Sequence, residues 1–145
     1  MGKMIDREEV VELVLSRVKG SGAEYGDVRM LESRTQVLYG EDRRIARIQD
    51  SEDSGFGVRV LYQGAWGFAS SSVLAAGEVR RVTELAIEIA KASATLVKDP
   101  VKLCPEPVHV DSVVTSARVD PFAVPLEEKT RLLLETMERL HKQAG

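Results

Sequence analysis

All five prolines of this 145-residue chain lie between residues 100 and 125, at Pro100, Pro105, Pro107, Pro121 and Pro125. Proline lacks a backbone N–H and clashes with the preceding helical turn, so this stretch is closed to helix and to the interior of a sheet. Helix is therefore expected only before this stretch and in a short tail after it. Within the stretch, Val108, Val110, Val113 and Val114 leave room for a short edge strand. Pro125 suits the first position of a final helix or the position just before it. Glu127 and Glu128 would then sit near the positive end of that helix dipole, and Leu126, Thr130, Leu133, Met137 and Leu140 would form its apolar stripe.

Before the prolines, Asp6 with Glu9 three residues on has the form of a capping box. Val10, Val11, Val14 and Val18 follow at helical spacing, which predicts a helix from Arg7 to Lys19 stopped by Gly20-Ser21-Gly22. The pattern then changes to β-branched and alternating. Strands are expected over 27–39 and 43–49 around a turn at Gly40-Glu41-Asp42, then over 57–62 and 65–70 around Gln63-Gly64. The acidic run Asp50 to Gly55 reads as a loop between the second and third strands. Val73 to Leu96 predicts a long helix with Val79, Val82, Ala86, Ile89, Ala90 and Ser93 inward, and Ser70, Ser71 and Ser72 are its N-cap candidates. The expected fold is α+β: an antiparallel four-stranded or larger meander with helices packed on one face, forming one domain over residues 1–145 without internal repeats.

Composition narrows function mainly by exclusion. With 20 basic against 23 acidic residues the formal net charge is -3, so no general positive field draws nucleic acid or anionic lipid. No apolar run approaches the roughly 18 residues needed to span a bilayer, and the N-terminus has no secretory pattern. The expectation is a soluble, cytoplasmic protein that contacts neither nucleic acid nor membrane directly. The single cysteine, Cys104, excludes an internal disulfide and fits a reducing compartment.

The chemical candidates are few. Gly55-x-Gly57 precedes a strand, whereas a dinucleotide fingerprint needs a third glycine and an immediate helix, so Gly55, Gly57, Gly64 and Gly67 read as turn or close-contact positions. Asp50, Glu52 and Asp53 lack the further ligands of a calcium loop. Arg43, Arg44 and Arg47 form a basic cluster flanked by acids. Ser70 to Ser72 lie outside any nucleophile elbow. Cys104 and His109 are five residues apart in the proline-rich stretch, and His141 suits the negative end of the last helix. Trp66 is expected in the core of the glycine-rich hairpin. No catalytic, cofactor-binding or metal-binding residue is assigned.

The run Asp53-Ser54-Gly55-Phe56-Gly57-Val58-Arg59-Val60-Leu61, followed by Gly64-Ala65-Trp66-Gly67-Phe68-Ala69-Ser70-Ser71, resembles the N-terminal domain of the TldD/PmbA family. The upstream Tyr25-Gly26-Asp27-Val28-Arg29 and the downstream Val119-Asp120-Pro121-Phe122 to Lys129 are similar too, in the expected order, and the Val119-Asp120-Pro121 and Glu127-Glu128-Lys129 segments lean toward the TldD branch. Members are named modulators of DNA gyrase and regarded as zinc metallopeptidases. The resemblance implies a longer, dimeric parent that degrades unfolded or small peptides, with a His-Glu-x-x-x-His zinc motif downstream. This sequence does not contain that motif, so zinc and catalysis are expected outside it, and the chain is expected to be inactive alone. The partners so implied are a peptide substrate and a second family subunit, equal or different. The segment is expected to be a truncated piece, because a last helix exposing Leu132, Leu134 and Leu140 has more apolar surface than a narrow stripe needs. The competing expectation is a standalone protein-interaction module that binds a partner through a sheet edge.

Overall fold

A computed structural model describes residues 5–144. Helix α1 (Arg7–Gly20) is followed by β1 (Tyr25–Glu41), β2 (Arg44–Tyr62), β3 (Ala65–Ser71), α2 (Ala76–Ala94) and α3 (Leu126–Ala144). The three strands form one antiparallel meander in the order β1-β2-β3.

The first helix is specified locally. The Asp6 carboxylate accepts from the Glu9 N–H at 2.8 Å and the Glu9 carboxylate accepts from the Asp6 N–H at 3.1 Å, the reciprocal capping box. Both hairpins turn on two residues with positive φ, Asp42 and Arg43 in one and Gln63 and Gly64 in the other, which matches the right-handed twist of the strands. The first turn is thus shifted past the expected Gly40.

Several expectations are corrected. The sheet has three strands among the described residues, because β2 runs without a break through the acidic stretch expected to be a loop. The reason is cross-strand pairing: Asp50 accepts from Arg34 at 3.1 Å and from Gln36 at 3.0 Å, and Glu52 lies 3.6 Å from Arg34. Acids on an exposed strand stay in the ladder when the neighbouring strand carries the matching donors. The stretch holding Val108, Val110, Val113 and Val114 forms no strand, and these side chains are almost fully exposed. The N-cap of α2 is Ala75, not one of the serines, with no side-chain cap.

Packing divides the chain into two units. One combines the chain up to Ser33 with Asp53–Pro105, and the other combines Arg34–Glu52 with the chain from Glu106 on. The first holds the core: Val10, Val14 and Val18 of α1, Phe56, Val58 and Val60 of β2, Ala69 of β3, and Val79, Val82, Ala86, Ile87 and Ala90 of α2. Ile87 is buried where Ile89, half-exposed, was expected. Helix α2 lies directly on β3 because Gly67 has no side chain: a Cβ there would run into the Ala86 carbonyl oxygen and the Ala90 nitrogen. In the second unit, α3 packs on the distal hairpin. Met137 and Leu133 fill the space over Gly40, and Lys129 donates to Gln36. Arg34 and Lys129 stack on Phe122 at 4.8 and 5.7 Å. None of its described residues is buried.

Gly67→Val forces α2 off β3 and is expected to cost about 2 kcal/mol or more in urea denaturation. Gly77→Ala, in open space on α2, is expected to be neutral or to stabilise by up to about 1 kcal/mol.

Candidate functional site: the outer face of the sheet

In the first unit the strand register separates two faces. Val58, Val60, Ala65 and Ala69 point to the helices, whereas Gly57 opposite Ser70, Arg59 opposite Phe68, and Leu61 opposite Trp66 lie on the other side. That outer side carries a compact polar and aromatic cluster. Arg59 donates to Asp27 Oδ2 through Nε at 2.9 Å and through a terminal nitrogen at 2.8 Å. The guanidinium stacks on Trp66 at 4.6 Å, and Tyr25 meets Trp66 edge-on at 6.0 Å. The hydrogen bonds from Arg59 to Asp27 raise the Arg59 pKa above its ordinary value, against a smaller opposing effect of burial. The second oxygen, Asp27 Oδ1, is buried without a hydrogen bond and has Arg29 at ion-pair distance, 3.4 Å.

Toward the far end of β3 the same side opens into a groove of about 410 Å3. Leu31 and Phe68 form its apolar floor and wall, 68% and 58% exposed. Arg29, Asp53 and Ser70 supply polar groups around them. Gly57 makes room for the Phe68 ring, since an added Cβ would sit 2.8 Å from it. Such a surface has the make-up of a docking groove, apolar with a few polar groups at the margin.

The remaining candidates are scattered or structural. Gly64 takes the positive-φ turn position and Gly67 the helix contact. Ser71 accepts from the Val73 N–H at 3.2 Å and hydrogen-bonds Glu78. With Arg81 as the larger influence, this holds the Glu78 carboxyl down at about 2. Arg43 occupies the hairpin turn, 3.9 Å from Glu138, and Arg44 and Arg47 are exposed. Cys104 and His109 are exposed in the segment without regular structure, and His141 is exposed in the last turn of α3. Trp66 is half-buried on the outer face rather than in the helix-covered core. Among the described residues no group of three or more His, Cys, Asp or Glu is placed to hold a metal ion, so these residues do not fit a zinc centre. No described helix is long and apolar enough to cross a membrane. The Tyr25, Asp27, Arg59 and Trp66 cluster was missed in the sequence. Its trace there is the i, i+2 spacing of Tyr25, Asp27 and Arg29, which puts all three on one side of β1.

In the first unit α1 and α2 cover one face of the glycine-seated meander, and the groove opens on the other. Residues 26–90 match the family model described as PmbA/TldA metallopeptidase domain 1. The first domain of the TldD/PmbA family is thus recognised over residues 26–90 of the chain. It is 32% identical over 110 residues to a metalloprotease of Methanothermobacter thermautotrophicus, covering 76% of this chain and 23% of the relative. It is 25% identical over 117 residues to a metalloprotease of Methanocaldococcus jannaschii, covering 81% and 26%. The chain thus spans about a quarter of the length of these relatives. Among solved structures, TldE from Thermococcus kodakarensis matches with a TM-score of 0.47 at 15% identity, over 74% of this chain and 23% of that one. A protein from Bacteroides thetaiotaomicron described as a modulator of DNA gyrase matches with a TM-score of 0.49 at 15% identity, over 79% and 25%.

Asp27→Ala leaves the half-buried Arg59 without its acceptor and is expected to cost about 1–2 kcal/mol in urea denaturation. The Glu78 carboxyl is depressed in the folded state, so its stabilising contribution is present above its ordinary value of 4.5 and is lost as pH falls toward about 2. An NMR titration checks this: Arg81→Ala is expected to raise the Glu78 midpoint most, and Ser71→Ala less.

Proposed function

We propose that this chain is the non-catalytic first domain of a longer TldD-branch zinc metallopeptidase that degrades unfolded or small peptides. The observation that carries the proposal is the pairing of the domain match at residues 26–90 with coverage of only about a quarter of each metalloprotease relative. The donor set described above supports placing the zinc-activated water of such an enzyme outside these residues. The domain's own work is to shape the substrate cleft and to seat a second family subunit, in a cytoplasmic assembly. The outer groove at Leu31 and Phe68 offers apolar contact for an extended peptide or for the rest of the parent. Strand β3, whose seven residues carry neither charge nor proline, is an unblunted sheet edge. No part of this role requires direct contact with nucleic acid or membrane.

The purified 145-residue chain is expected to bind no stoichiometric zinc by elemental analysis and to leave unfolded casein intact in a peptidase assay. Tight zinc binding with hydrolysis by residues 1–145 contradicts the proposal. A reading frame that stops after Gly145 favours the standalone interaction module instead.

A further inference from the structure

Helices α1 and α3 begin alike. With Arg7 set against Leu126, Glu8, Glu9, Leu13 and Leu15 recur as Glu127, Glu128, Leu132 and Leu134. The match is too short to register as a sequence repeat, but the packing extends it. Val14 and Val18 of α1 face its unit's core, and Val18 occupies the space over Gly26 of β1, where an added Cβ would lie 2.5 Å from it. The equivalent α3 residues, Leu133 and Met137, lie over Gly40 of the same strand, with a Cβ there 2.5 Å from Met137. Each unit therefore has a helix seated on a glycine of β1 through the same helix positions.

The units differ in what covers that helix. In the first, α2 packs beside α1, Arg17 donates to Glu84, and Leu13 is packed against the core. In the second, Leu132, the equivalent of Leu13, is 66% exposed, and Leu140 two turns on is 60% exposed. No described residue of that unit is buried.

We propose that the face of α3 carrying Leu132, Thr136 and Leu140 is the seat of a second amphipathic helix. It stands to α3 as α2 stands to α1, and is supplied by polypeptide that follows this region in the longer metalloproteases. This rests on the reading of the chain as part of a longer metallopeptidase, and the relatives, about four times the aligned length, have the chain to provide it. The occupant is an α2-like helix with small and apolar residues on its inner side, because bare leucine side chains gain free energy by leaving water.

The test compares this chain with the chain extended through its own reading frame, both carrying Cys104→Ser and Thr136→Cys. Iodoacetamide is expected to label position 136 readily in the short form and at least about tenfold more slowly in the extended form. Adding Leu132→Ser with Leu140→Ser to the extended form is expected to restore fast labelling, whereas Leu132→Met with Leu140→Met is expected to keep it slow. Equal labelling in the short and extended forms overturns the inference, even where the extended form hydrolyses peptide and so upholds the functional reading. Slow labelling that persists with the serine substitutions also overturns it. A stop codon after Gly145 removes both.

Discussion

The contact between α2 and Gly67 of β3 is the constraint on which the rest of the first unit depends. Ala86 and Ala90 approach the strand so closely that no side chain fits between them. This close approach lets Val79, Val82 and Ile87 reach Val58 and Val60 in one core cluster, which α1 then joins through Val10, Val14 and Val18. A core built largely of valine and alanine has short side chains and tolerates little separation between its layers. Glycine at the contact is what permits those small residues to fill it.

In the first unit α1 and α2 pack on one side of the sheet, and the other side carries the polar and aromatic cluster. There the structure spends its polar groups on holding three strands together, through Arg59 with Asp27 and the stack on Trp66. The groove beyond them is left apolar and open at Leu31 and Phe68. Among the described residues no group of side chains is assembled to hold a metal ion.

Much of the fold was legible because its determinants are local. The capping box at Asp6 and Glu9, the valine spacing of α1 and the Gln63-Gly64 turn each act within a few residues. The four-stranded expectation failed at Asp50 to Gly55 because the partners that keep those acids in the ladder, Arg34 and Gln36, are remote in sequence. The serine caps failed because Ser71 hydrogen-bonds Val73 and Glu78 from outside the helix. The outer-face cluster joins three strands, so no window of sequence contains it. The same holds for the likeness of α1 and α3, which rests on a few side chains and on two glycines of a strand.

Among the described residues the chain holds one core of buried side chains and one helix-on-hairpin unit in which no side chain is buried. Native-state hydrogen exchange on residues 1–145 tests it most directly. The account predicts that amides of α2, β3 and residues 56–62 exchange only through global unfolding. Those of α3 and the hairpin end around Asp42 should open at a distinctly lower free energy. Equal protection of α3 and α2 would contradict it.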